Sequence, residues 1–324
     1  MMRARCAGAI AVAAAVCLPS PAVPFGGDGH RLVNRHAVDN LPASMQDDGS
    51  GNAFGDMRLL LEYQATAPDW QKSYDGNENA RHWCDIDSQL GAYPPPFDTV
   101  PRDQAAYLSA FGRDNGVLQW EGIEEHYGRL VGLMRARNWL AAYQCAAELG
   151  HYVADASCPL HCTRHFDGYR YWHPLYDPRN VGIHSRYESE MVTRHIPSLA
   201  TAPGSAVYVV DRVECGFALI AGGWNLFDEV LAADLEAQDE TGGDSSPAYF
   251  QALYDRVGTD AEAQLELAAR RTSDLWYSAW IDAGSPSFSP AAIRFSFQAL
   301  SPPAPSGWGV SAEHPYGPFG AFGW

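Results

Sequence analysis

The residues best placed to do chemistry lie in one stretch, His151-Tyr-Val-Ala-Asp155-Ala-Ser-Cys-Pro-Leu-His161. His151 and Asp155 stand four residues apart. On a helix that spacing sets an imidazole and a carboxylate one above the other, where both can grip the same cation. His161 follows just beyond Pro159. A second pair of the same form, His184 and Glu188, lies downstream in Gly-Ile-His-Ser-Arg-Tyr-Glu. A single His with an acid four residues on is ordinarily a solvated helix pair. Two such pairs in one chain, with a third histidine close behind the first, point instead to bound metal.

The elements around these residues can be read from periodicity. Trp139, Ala142, Tyr143, Ala146, Leu149 and Val153 recur at the spacing of one buried helical face, which predicts a helix over 139–154. Pro159 ends it, and His161 emerges from the turn. Upstream, His30 opens a helix whose stripe is Leu32, Val33, Ala37, Val38 and Leu41, stopped by Pro42. A polar, Gly-rich loop over 47–54 precedes a helix from about Met57 to Gln64. Asp69 follows in Ala67-Pro-Asp69-Trp, and His82 in Arg81-His82-Trp-Cys-Asp-Ile-Asp87. Tyr93-Pro-Pro-Pro-Phe97 is a rigid extended connector. The chain is helical again from Asp103 through Phe111, and a core stripe runs from Val117 to Met134 through Trp120, Ile123, Tyr127, Leu130 and Val131.

Segment 167–180, with Tyr169, Tyr171, Trp172, His173 and Tyr176, has no period and reads as an aromatic loop placed to overhang a site. Ala206 to Leu235 reads as a buried helix rather than a membrane span, because Asp211, Arg212, Glu214 and Asp228 interrupt it. One or two closing helices are expected over 247–283.

With 324 residues, of which 46% are hydrophobic and 12% aromatic, the chain can bury one large core, and a single all-α domain is expected. The first residues carry Arg3 and Arg5 ahead of an apolar run too short to span a bilayer. This is the pattern of a secretory signal peptide over 1–22, cleaved after Ser20-Pro21-Ala22, so the protein is expected to be secreted or periplasmic. The helical domain is expected over 23–284, followed by a Pro-, Gly-, Ser- and aromatic-rich tail over 285–324.

A net charge of −17 argues against a general polyanion-binding module, though not against an enzyme. Cys84, Cys145, Cys158, Cys162 and Cys215 remain after the leader. In an oxidising compartment one or two disulfides are expected, with Cys84, Cys158 and Cys162 close enough in sequence to the ligands to brace the site. Cysteine ligation of zinc is the competing reading, set aside because His and carboxylate donors already suffice.

These residues, in this order, resemble the zinc-dependent phospholipase C family and its relatives, the fungal-type zinc nucleases that cleave single-stranded nucleic acid. The resemblance runs from Phe25 to about Ala200. It rests on Gly29-His30 with Leu41-Pro42, Pro68-Asp69, Arg81-His82, Val117-Leu-Gln-Trp120, His151 through His161, and His184 through Glu188. It implies an all-helical fold holding three zinc ions. Asp69, His82, His151 and Asp155 would hold one; Asp155 would bridge to a second, completed by His30 and the backbone amine and carbonyl of Phe25 at the mature terminus; His161, His184 and Glu188 would hold the third.

The N-terminus departs from the pattern, because cleavage after Ala22 leaves Val23-Pro24 ahead of Phe25, where the family begins with Trp. Glu188 looks like the phospholipases, whereas the Phe25 to His30 and His161 to His184 spacings look like the nucleases. The resemblance implies hydrolysis of phosphodiesters by a zinc-activated water, with Asp155 bridging and Asp69 orienting or deprotonating that water. The expected substrate is a glycerophospholipid, met by transient contact with a membrane surface and without an obligate protein partner. Nucleic acid is the substrate of the alternative, a nuclease or 3′-nucleotidase. A non-catalytic secreted zinc-binding protein is the reading from another class. Arg164 and His165, next to the cluster in sequence, are candidate phosphate contacts.

Overall fold

The computed structural model describes residues 26–288, so the leader, the Phe25 ligand and the tail beyond 288 lie outside the described residues. Among the described residues there are eight α-helices of seven residues or more and no strand. They are α1 (Gly26–Asn40), α2 (Arg58–Gln64), α3 (Gln104–Phe111), α4 (Glu125–Arg135), α5 (Trp139–Ser157), α6 (Arg212–Trp224), α7 (Phe227–Thr241) and α8 (Pro247–Asp282). The all-α expectation therefore holds. No helix among the described residues is long and apolar enough to cross a membrane.

The centre of the molecule is α5, which packs against α1, α2, α4, α6 and α8. Every residue from Cys145 to Ser157 is buried, so the helix is enclosed on all sides rather than on the one face its apolar stripe predicts. The residues between the stripe positions explain this. Ala147, Gly150, Ala154 and Ala156 are small enough for neighbouring helices to close over them. At Gly150 a Cβ would lie 1.9 Å from Asn34 Oδ1 of α1. That close approach lets Asn34 Nδ2 donate to Ala147 O of α5 and Leu61 O of α2, both at 3.0 Å, and one amide ties three helices. On the other side Trp276 Nε1 of α8 donates to Ala146 O at 2.9 Å.

Two boundaries differ from expectation, and a third segment settles an open choice. Helix α1 begins at Gly26, so His30 lies inside it and not at its start. The apolar run expected as one helix over 206–235 is two, α6 and α7, with a break at Asn225-Leu226; Asp211 caps α6 by accepting from Glu214 N at 2.9 Å. The closing segment is a single helix of 36 residues, capped by Ser246 Oγ accepting from Tyr249 N. Ahead of α4, Leu118–Glu124 is π-helical, and so is Arg186–Met191 within the helical stretch 183–195. A 3.6-residue template cannot anticipate the wider turn.

Candidate metal centre

Six elements bring the sequence-predicted residues to one buried point. His30 comes from the first turns of α1, Asp69 from the short helix Ala67–Gln71, His82 from the end of the 3₁₀ turn Asn79–His82, and His151 and Asp155 from the last two turns of α5. His161 closes the 3₁₀ turn Pro159–His161, and His184 and Glu188 come from the stretch 183–195. All but His184, which is partly exposed, are sealed from solvent or nearly so.

Asp155 stands at the middle. Its Oδ2 lies 2.9 Å from His82 Nδ1 and 3.3 Å from His151 Nε2, and its Oδ1 lies 3.5 Å from His30 Nε2 and 3.9 Å from His161 Nε2. Asp69 Oδ1 is 3.7 Å from His151 Nε2 and 3.9 Å from His82 Nδ1. In the adjoining group His161 Nε2, His184 Nε2 and Glu188 Oε2 are mutually separated by 3.2, 3.0 and 3.2 Å. Donors bound tetrahedrally at zinc distances stand ~3.3 Å apart. The observed spacings straddle that value, and the nitrogen and oxygen donor set suits zinc. Asp69 Oδ2, Asp155 Oδ1 and Glu188 Oε1 are buried without a hydrogen-bond partner. Buried carboxylate oxygens are rarely left so unless something else satisfies them.

The ring nitrogens are aimed inward by what holds them from outside. His151 Nδ1 donates to Ala65 O at 2.8 Å and His161 Nδ1 to His82 O at 2.6 Å, which leaves both Nε2 lone pairs facing the cluster. His82 is reversed: its Nε2 meets Glu78 Oε1 at 3.2 Å and its Nδ1 faces inward. Glu78 was not among the expected residues. It is fully buried and also accepts from Tyr152 OH and from Arg81 Nη1. Burial would raise its pKa, but the hydrogen bonds from His82 and Tyr152 bring it down to about 2. The signal was present, since Glu78 and His82 are a further acid and histidine four residues apart. Lys72 is a further unexpected neighbour, its Nζ 2.8 Å from Asp69 Oδ1.

The electrostatics fit a cation. Burial pushes the Asp155 carboxyl up, yet His151 and His161 hold it well below the usual range. Burial likewise opposes the charge on His161, but Asp155 and Glu188 outweigh it and raise the imidazole to about 9. His30, stacked on His151 with centroids 3.7 Å apart, is lowered to about 3 by burial and by the charge on His151. Divalent cations would balance the acids with every imidazole neutral.

The cysteines differ from expectation. All five among the described residues are free thiols. Four of the sulfurs are engaged elsewhere: Cys84 with Tyr107 OH, Cys145 with His126 O, Cys162 with Ala156 O and Cys158 O, and Cys158 with Glu188 Oε2 at 3.7 Å. Arg164 and His165 do not turn to the cluster. Arg164 donates to Ser88 Oγ and lies over Trp172, and His165 lines a cavity of about 380 Å³ with Asp87, Tyr93, Tyr169, Trp224 and Phe227. The aromatic loop is pinned beside the site, where Asp167 Oδ1 accepts from Gly182 N and His184 N and Phe166 packs against His184. Its Tyr171, Trp172, Leu175 and Tyr176 are exposed.

The segment carrying His184 and Glu188 is clamped by Arg186 between them. Its guanidinium donates to Asp234 Oδ2 at 2.7 Å, to Tyr249 OH and to the carbonyls of Arg179 and Val181.

No family model matches the chain. It is 21% identical over 258 residues to a probable serine protease of Bradyrhizobium tropiciagri, an alignment that covers 64% of this chain. The chain spans about a third of that relative's length, 32%.

Proposed function

We propose that this chain is a secreted zinc-dependent phosphodiester hydrolase of the phospholipase C type. The observation that carries the reading is the convergence on Asp155 of four imidazoles at 2.9–3.9 Å, with Asp69 alongside and carboxylate oxygens left unpartnered. His30, Asp69, His82, His151 and Asp155 would hold a pair of ions, with Asp155 between them, and His161, His184 and Glu188 a third. When bound, zinc supplies Lewis acidity toward phosphoryl oxygens and lowers the pKa of water. The chain's own part is to fix that geometry and move a proton. Asp69, whose Oδ2 is free of hydrogen bonds, would orient the attacking water and accept its proton as the water oxygen bonds to phosphorus and the ester bond breaks, the leaving oxygen taking a proton from solvent.

The exposed Tyr171, Trp172, Leu175 and Tyr176, on the loop tied to His184, favour a lipid substrate, because such side chains suit the interfacial layer of a membrane. One observation favours the nuclease alternative: the aromatic cavity beside His165 would accept a flat ring. The relative's name suggests a protease, which would need a serine hydroxyl beside an imidazole. His82, His151, His161 and His184 meet carboxylates, backbone carbonyls and one another instead.

The test is hydrolysis of phosphatidylcholine micelles, single-stranded DNA and casein by the purified mature protein, with zinc counted in the same sample and a chelated control. Chelator-sensitive lipid cleavage, abolished together with most of the paired zinc in His151→Ala, is the expected result. DNA cleavage would move the assignment to the nucleases. Zinc without turnover would leave a binding protein, and chelator-resistant proteolysis would refute the metal chemistry.

A further inference from the structure

Cys158 directly follows the last residue of α5 and opens the turn that carries His161. It is fully buried, and its Sγ lies 3.7 Å from Glu188 Oε2. The same carboxylate oxygen is 3.2 Å from His161 Nε2 and 3.0 Å from His184 Nε2. The donor atoms of Cys158, His161 and Glu188 all lie within 4.8 Å of one another. Around a tetrahedral zinc, with bonds near 2.3 Å to sulfur and 2.0–2.2 Å to nitrogen and oxygen, sulfur and oxygen stand ~3.5 Å apart. A sulfur 3.7 Å from the shared oxygen is close to that spacing and within reach of an ion held by Glu188 and His161. Independently, Glu188 Oε1 is buried with no hydrogen-bond partner, which marks this carboxylate as built for a ligand.

We propose that Cys158 is the fourth ligand of the third metal ion, bound as a thiolate beside His161, His184 and Glu188. The inference rests on the metal-hydrolase reading above and deepens it. On binding, the sulfur gives its proton to solvent and the ion takes its place. Four protein ligands complete the tetrahedron, so this ion is structural, while open positions for water and substrate belong to the pair around Asp155. Its task is to staple the turn at the end of α5 to the stretch 183–195, and with it the foot of the aromatic loop. A sulfur ligand also biases this one position toward soft cations such as cadmium.

The experiment uses the full mature protein, stripped by chelation and reloaded with cobalt(II). The expected spectrum has visible d–d bands and a near-ultraviolet sulfur-to-cobalt charge-transfer band. That band should vanish in Cys158→Ser and persist in Cys162→Ser. One of the bound ions should also weaken by more than the ~10–100-fold that loss of an outer hydrogen-bonding partner costs. X-ray absorption of the unmutated zinc protein provides a check that needs no variant, through a sulfur scatterer at ~2.3 Å. Visible bands without the ultraviolet band, or a band that survives in Cys158→Ser, would overturn the inference and leave the hydrolase reading standing. A protein that takes up no cobalt would overturn both.

Discussion

Glu78→Gln isolates what an outer carboxylate contributes to the metal centre. Glu78 touches none of the proposed ions. It holds His82 Nε2 at 3.2 Å, and so fixes which nitrogen faces Asp155. The amide keeps the volume but cannot accept from His82, Tyr152 and Arg81 together, because one of its two ends is now a donor. Even with its oxygen turned to His82 and Tyr152, the neutral amide is a weaker acceptor than the carboxylate and loses Arg81, so the ring is held less firmly and becomes less basic. Removal of such a partner costs 10–100-fold in metal affinity, or about 1.4–2.7 kcal/mol. Competition against a chromophoric chelator reads this directly, with the melting temperature of the stripped protein measured alongside to separate loss of metal from loss of fold. In a His82→Ala background the same substitution should change affinity little, since its effect passes through that ring. Unchanged zinc affinity in Glu78→Gln, or an equal loss in both backgrounds, would refute the positioning argument.

Other consequences follow from packing and charge. Gly150→Ala puts a methyl group 1.9 Å from Asn34 Oδ1, so α1 must move or the amide must release its two carbonyls. Overpacking of this kind costs ~1–3 kcal/mol, a drop of roughly 2–12 °C in melting temperature. Because His30 lies one turn before Asn34, zinc stoichiometry should fall in the same variant; a normal melt with a full metal count would show that the contact relaxes freely.

Asp85 is raised from 3.8 to about 8 by burial and by the charge of Asp87. A group with a raised folded pKa contributes stability below its unfolded value and loses it as pH climbs through the folded one. Urea unfolding of chelated protein should therefore show Asp85→Asn gaining on the unmutated chain between about pH 4 and pH 8. A difference that stays constant across that window would remove Asp85 as its source. Replacing Trp172 and Tyr171 together by serine should weaken binding to phosphatidylcholine vesicles several-fold and leave turnover of a soluble phosphodiester unchanged; equal vesicle binding by both proteins would detach the loop from lipid.

The ligand positions were legible because an acid and a histidine four residues apart mean the same thing wherever a helix carries them. His151 with Asp155 and His184 with Glu188 were visible for that reason, and Pro159 announced the turn that presents His161. Glu78 with His82 escaped because the turn Asn79–His82 is too short to show an apolar period. The enclosure of α5 escaped for a different reason. Periodicity weighs large apolar side chains and passes over Ala147, Gly150 and Ala154, whose smallness is what admits α1 and its neighbours. The aromatic cavity was out of reach altogether, since Trp224 Nε1 and Asp87 Oδ2 are 3.3 Å apart in space and 137 residues apart in the chain.

What the sequence could not display is how far the charge is enclosed. Asp69, Glu78, Asp155 and Glu188 are buried carboxylates within one helical core. Among the described residues, the side-chain cations other than imidazole that meet them are Lys72 and Arg81, which reach Asp69 and Glu78. A buried anion without a partner is among the costliest features a fold can carry. Among the described residues, the cations that meet Asp155 and Glu188 are imidazoles, and three of these, His151, His161 and His82, are held at fixed angles by Ala65 O, His82 O and Glu78. Such anchors would be superfluous for a proton, which follows whichever nitrogen is nearest. They are what a divalent cation requires, because its ligands must keep their lone pairs converging on a single point.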